Sequence, residues 1–153
     1  MSKFYITTAI AYTNAKPHIG FAIEMVQADC IARYRRMMGD QVYFLTGTDE
    51  HGLKMAQTAA EAGITPQKLV DKNSQEFKRL GQFLNISNDQ FIRTSSPEHK
   101  RGAQKLWSKL VEDGDLYIGT YEGLYCVGCE AYITEKDLVD GKCPNHKKAR
   151  EFF

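Results

Sequence analysis

An α/β fold built on a parallel sheet is what this sequence predicts, and three observations carry the prediction. Two compact β-rich runs, "KFYITTAI" near the start and "QVYFLTGT" at residues 41–48, flank an apolar-periodic stretch of helical length, and a helical crossover of this kind joins parallel strands in the right-handed sense. A third strand-like run, "DQFIRTSS", follows further helical sequence, so the alternation repeats. Near residue 115 the texture changes to short strands, glycine turns and clustered cysteines, which sets a second, smaller region apart. The expected division is residues 1–115 and 116–153.

The first strand lacks the alternation of a solvent-facing strand and reads as buried. After a loop through Asn14 and Pro17, the apolar residues Ile19, Ile23, Val26, Cys30, Tyr34 and Met37 fall on one helical stripe that ends near Gly39. This stripe is expected to face the core, with Cys30 a core residue rather than a ligand. Residues 41–48 then form a second buried strand. "HGLKMAQTAAEAG" is Ala-rich and stops at Gly63, while Thr65-Pro66 supplies an N-cap and a first-turn proline for "PQKLVDKNSQEFKRLGQFL". Ser96-Pro97 repeats that start for a helix carrying Leu106, Trp107 and Leu110 to Gly114. "DLYIGTYEGLYCVGCEAYI" reads as short strands with glycine turns.

The chain has 153 residues, 42% hydrophobic and 25% charged, enough to bury a real core. Its 20 Lys and Arg against 19 Asp and Glu leave a net charge of +1, so no global field draws it to nucleic acid or membrane, and any RNA contact must be local. No apolar run spans a bilayer and no secretory leader is present, so a cytoplasmic location is expected.

Cys126-x2-Cys129 and Cys143-x2-His146 are two chelating pairs, with Gly128 and Pro144 inside them to permit tight turns. Three thiolates and an imidazole suit tetrahedral Zn²⁺ and fill all four positions, which makes the site structural. Unrelated buried residues, or a Cys126–Cys129 disulfide, are the alternatives.

In a parallel sheet the ligand crevice lies at the carboxyl ends of the strands, and the first two strands end in "AYTNAKPHIG" and "GTDEHG". Gly20, in the first turn of a helix, lets a planar base approach the backbone, and the helix N-terminus favours phosphate. His18 either donates to those phosphates or merely caps the helix. Asp49 either binds an ammonium group or caps the next helix, with Glu50 and His51 as first-turn residues.

Taken together and in order, "YITTAIAYTNAKPHIGF", "FLTGTDEHG" and the Cys126/Cys129/Cys143/His146 knuckle resemble the N-terminal half of a methionyl-tRNA synthetase, a class I aminoacyl-tRNA synthetase. The resemblance implies the first half of a Rossmann-like doubly wound parallel sheet with a small zinc-knuckle insertion, the connective peptide. It implies a methionine–tRNA ligase that activates methionine with ATP to methionyl-adenylate and transfers it to tRNA. Gly20 would lie under adenine and His18 at the phosphates, the two catalytic positions. Phe21, at the ATP site, stands where the family usually has a second His. Asp49 would hold the methionine amino group, and Ala9, Ile10 and Tyr12 would line the side-chain pocket. The methionine carboxylate attacks the α-phosphorus itself, so positioning and charge stabilisation do the catalysis.

The implied cofactors are structural Zn²⁺ and, as substrate, ATP with Mg²⁺. The implied partners are methionine, ATP, initiator and elongator methionine tRNAs, and the C-terminal half of the same enzyme, with no membrane. The sequence stops at Phe153, before the Lys-Met-Ser-Lys-Ser loop and anticodon-binding helices of the family, and the chain alone is expected to be inactive. Two other readings stay open: a small His-x-Gly-type nucleotidyltransferase, and a non-catalytic zinc-stapled module that binds RNA or a partner.

Overall fold

The computed structural model describes residues 2–145 and divides the chain into two compact units, Met1–Lys105 and Leu106–Phe153. The division falls inside a helix, before the change of texture near residue 115. In the first unit the order is β1 (Lys3–Thr7), β2 (Ala11–Tyr12), α1 (Ile19–Met37), β3 (Gln41–Asp49), α2 (Leu53–Glu61), α3 (Pro66–Phe83) and β4 (Gln90–Arg93). All the pairings in this sheet are parallel. β3 is its centre, with β1 and β2 along one edge and β4 along the other.

The expected first strand is broken. Thr7 pairs with Leu45 and Ala11 with Thr48, so residues 8–10 stand opposite residues 46–47, one residue too many. This bulge bends the strand and frees the Ala9 N–H, which donates to Glu24 Oε1 of α1 at 2.6 Å. On the other side of β3, a Cβ at Gly47 would lie 2.1 Å from the Ile92 carbonyl oxygen, so only glycine lets β4 come this close. Nor is β1 buried. Phe4 and Ile6 face the helices, whereas Lys3, Tyr5 and Thr7 are exposed, the alternation of a sheet covered on one face.

α1 has the expected length but buries the other side. Phe21, Met25, Ala28 and Ala32 recur at helical spacing and meet the sheet and α3, whereas the expected stripe is exposed, with Ile19 at 76%, Tyr34 at 58% and Met37 at 85%. Cys30 is exposed too, so it is not a core residue. Both sides of this helix are apolar. The side with small alanines is the one that can approach Phe44, Ile6 and Val42 closely, and Phe21 and Met25 pack against Phe77 of α3.

α2 and α3 are the two expected helices. Thr65 accepts from the Lys68 N–H at 3.3 Å and Pro66 opens α3. The short α2 follows Gly52, whose φ of 131° lies outside the range of L-residues.

α4 (Pro97–Glu112) crosses the division between the units, and Ser96 caps it by accepting from the His99 N–H at 3.3 Å. In the second unit, β5 (Leu124–Cys126) and β6 (Ala131–Ile133) form an antiparallel pair, followed by a single 3₁₀ turn at Glu135–Asp137. No helix among the described residues is long and apolar enough to cross a membrane.

Candidate functional site

A cleft of about 360 Å³ opens at the carboxyl ends of β1 and β2 and the start of α1, lined by Ala9, Tyr12, Lys16, His18, Gly20 and Glu24 among others. Phe21 and Phe77 form its floor. Ile10 and Asp49 do not line it. Asp49 lies next door, paired in register with Tyr12 at the end of β3.

His18 sets the chemistry of the rim. It is exposed, its backbone is extended, and its Nδ1 accepts from the Gly20 N–H at 3.1 Å, capping α1. An Nδ1 that accepts carries no proton, so the neutral ring holds its hydrogen on Nε2. Capping and donation were alternatives in the sequence, but the two nitrogens can divide them. Gly20 has a second use here, because a Cβ at this position would lie 2.9 Å from His18 Cε1 and 3.1 Å from Nδ1.

Phe21 is buried, edge-on to Phe77 at 4.9 Å between ring centroids and 84° between planes. This packing fixes the helix start. Phe21→His would exchange an aromatic pair for a buried imidazole and is expected to cost about 1–3 kcal/mol. Urea denaturation of the two proteins checks it.

At the end of β3, Asp49 and Glu50 part company. Gly52 is the N-cap of α2, which starts at Leu53, so Asp49 does not cap it and Glu50 and His51 are not first-turn residues. Asp49 is half-buried, and its carbonyl accepts from the Thr13 N–H at 3.2 Å. Glu50 has a fully buried side chain that meets Arg93 at 2.7 Å. Burial alone would raise the Glu50 carboxyl, but hydrogen bonds from Arg93, Ser95 and Thr48 outweigh it and hold the group below its ordinary value. A lowered folded value stabilises above the ordinary range, near pH 4.5, and that stabilisation is lost as pH falls through the folded value. Glu50→Gln is therefore expected to be least stable relative to wild type at pH 7, with the gap closing in acid. Urea unfolding from pH 7 to 3 measures it.

Glu24, Lys16, Arg93 and Thr94 were not singled out from sequence, and Glu50 was read only as a first-turn helix residue. Glu24 follows Gly20 by one helical turn, which was a usable signal; Arg93 sits 43 residues from Glu50 and offered none.

In the second unit the sulfur atoms of Cys126, Cys129 and Cys143 all lie within 4.8 Å of one another. Cys129 and Cys143 are 3.6 Å apart, too far for a disulfide and close to the ~3.8 Å that tetrahedral 2.3 Å zinc–sulfur bonds require. The Cys129 N–H points at Cys126 Sγ at 3.4 Å and the Asn145 amide at Cys129 Sγ at 3.7 Å, as donors that offset thiolate charge. The three cysteines thus form a cluster able to hold a metal ion. His146, the fourth expected ligand, lies outside the described residues.

A family model described as tRNA synthetases class I (M) matches residues 4–152. The chain belongs to this family. Methionine–tRNA ligase of Brucella suis biovar 1 is 53% identical over 135 residues, covering 88% of this chain and 26% of the ligase. The Thermotoga maritima enzyme of the same name is 49% identical over 150 residues, covering 95% and 24%. The structure of Mycobacterium tuberculosis methionyl-tRNA synthetase in complex with methionyl-adenylate superposes with a TM-score of 0.91 and 43% identity, over all of this chain and 31% of that one. This synthetase-family chain spans about a quarter of the length of the curated relatives it matches.

Proposed function

We propose that the chain supplies part of the ATP and methionine sites of a methionine–tRNA ligase. The observation that carries this reading is His18, whose Nδ1 is engaged by the Gly20 N–H, in a chain half identical to enzymes of that name. With Nδ1 engaged, Nε2–H is the free donor for phosphate oxygens, beside the positive end of the α1 dipole. Gly20 keeps the surface above the first turn flat for adenine. Asp49 offers a carboxylate to the methionine ammonium, next to Tyr12, while Ala9 lines the cleft and Ile10, outside it, would join the pocket wall only with the rest of a ligase in place. The methionine carboxylate attacks the α-phosphorus, pyrophosphate leaves, and these groups act by holding charge and orientation.

Magnesium would accompany ATP, and a zinc ion held by Cys126, Cys129, Cys143 and His146 would serve the fold alone. The tRNA substrates and the pyrophosphate-stabilising loop need the rest of a ligase, for which the exposed stripe of α1 and the open edge of β1 are natural seats. A family match over nearly the whole chain argues against a small nucleotidyltransferase or a zinc-stapled binding module. Such a ligase works in the cytoplasm.

The test is a chimera in which this chain replaces the matching segment of the Mycobacterium tuberculosis enzyme. Methionine-dependent ATP–pyrophosphate exchange is the expected result. A folded but inert chimera overturns the reading.

A further inference from the structure

Consecutive side chains on an extended strand leave on opposite sides, so as Asp49 reaches the rim Glu50 points into the body of the unit. Its side chain is 0% exposed. A carboxylate in that position is tolerable only with its charge paired and its oxygens hydrogen-bonded. Arg93 Nε and Nη2 donate to Oε1 and Oε2 at 2.7 and 2.9 Å in a bidentate fork. The Thr48 hydroxyl donates to Oε1 at 2.7 Å and the Ser95 hydroxyl to Oε2. Arg93 Nη2 also donates to Asp71 of α3 at 2.5 Å. Three elements, β3, β4 and α3, are thereby tied together directly behind Asp49.

Thr94 carries that tie forward. Its N–H donates to the Thr48 carbonyl at 3.2 Å and its hydroxyl oxygen accepts from the Glu50 N–H at 2.8 Å. The same hydroxyl donates to Asp49 Oδ1 at 3.4 Å, and the Thr94 carbonyl stands 3.3 Å from His51 Nε2. Thr94 is buried, and through it every residue from Thr48 to His51 is touched. With Oδ1 engaged by Thr94, Oδ2 makes no hydrogen bond among the described residues.

We infer that Thr94, held in place by the Glu50–Arg93 pair, is a positioning residue that fixes the Asp49 carboxylate with Oδ2 presented to the substrate ammonium. The inference rests on the assignment of Asp49 to the amino group under the proposed function. A freely rotating aspartate would spend rotamer entropy on each binding event; one already oriented at Oδ1 by the Thr94 hydroxyl, a long bond at 3.4 Å, has spent part of it on folding. Burial of the Glu50 side chain shields its end of the pair from water, and the hydrogen bonds that hold the Glu50 carboxyl below its usual range keep the pair ionised at neutral pH.

Two methionine analogues separate this from a merely structural role. Methioninol keeps the ammonium and lacks the carboxylate, and 4-(methylthio)butanoate does the reverse. Their inhibition constants are measured in the exchange reaction of the chimera. Thr94→Val, which deletes only the hydroxyl, is expected to weaken methioninol about tenfold or more, with the butanoate changed less than about twofold. Thr94→Ser, which retains the hydroxyl, restores the ratio, and Glu50→Gln shifts it in the same sense as Thr94→Val. Equal weakening of both analogues, or none, by Thr94→Val overturns the inference while Asp49→Asn still shifts the ratio. If Asp49→Asn itself leaves the ratio unmoved, or the unsubstituted chimera ignores methioninol, the Asp49 assignment falls instead.

Discussion

If the proposed function holds, His18→Ala in the chimera is expected to slow methionine activation by about two to three orders of magnitude, ~2.7–4 kcal/mol, the usual loss when one preorganised donor to a developing charge is removed. The residue caps α1, so the variant also surrenders a capping bond, and the two losses must be told apart. His18→Asn does this. Asparagine is among the best N-caps and accepts through its amide oxygen, so it restores the bond to the Gly20 N–H now made by Nδ1 at 3.1 Å. It carries no imidazole Nε2–H. Near-native stability with activity as low as His18→Ala assigns the loss to the donor. Recovery of exchange in His18→Asn would assign it to the cap.

Gly20→Ala supplies an independent check of the same geometry. Alanine in a helix favours folding by about 0.5–1 kcal/mol over glycine. At this position the new methyl would lie 2.9 Å from His18 Cε1, and a flexible side chain yields by turning away. Stability is therefore expected to hold or rise slightly while exchange activity falls with that of His18→Ala. Opposite signs for fold and function are what a displaced donor produces.

What the sequence made legible were the features written in adjacent residues. Thr65-Pro66 and Ser96-Pro97 announce helix starts because a cap and a fixed φ act within one turn, and both helices begin there. The Cys126-x2-Cys129 pair is a short loop whose geometry is local, and its two sulfurs converge with that of Cys143. The core side of α1 was not legible, since Ile23, Val26 and Tyr34 make as regular a stripe as Phe21, Met25 and Ala32. Periodicity finds a stripe, and close approach to Phe44 decides which one is buried. The bulge at residues 8–10 was equally hidden, because it is a mismatch in register with a strand some 37 residues away in sequence. The site divides the same way. His18, Gly20 and Asp49 stand in recognisable clusters, whereas Arg93 and Thr94 reach the rim only through the β3–β4 pairing.

Removal of metal is expected to unfold the second unit and leave the first intact. The second unit buries little apolar surface among its described residues. Among its described residues only Cys126 and Cys143 are buried, while Tyr117, Ile118, Tyr121 and Val139 are exposed. Its sheet is one antiparallel pair of three-residue strands, and an isolated pair of this size is marginal at best in water. The Tyr121–Tyr132 and Tyr125–Tyr132 ring contacts, at 4.7 and 5.3 Å, add about 0.5–1.5 kcal/mol each. Structural zinc contributes on the order of 10–16 kcal/mol in small modules at neutral pH, so a zinc ion bound by these cysteines would dominate the balance. The first unit holds two buried clusters of its own, around Phe77 and Phe44. Chelation, or Cys143→Ser, should therefore abolish the tyrosine contacts and leave the amide signals of α1 and β3 in place by NMR. Elemental analysis should find one zinc per chain in wild type and much less in the variant. Protein purified without metal, with those tyrosine contacts and its stability unchanged, would falsify the assignment, because three thiols packed within 4.8 Å would then be held by the chain alone.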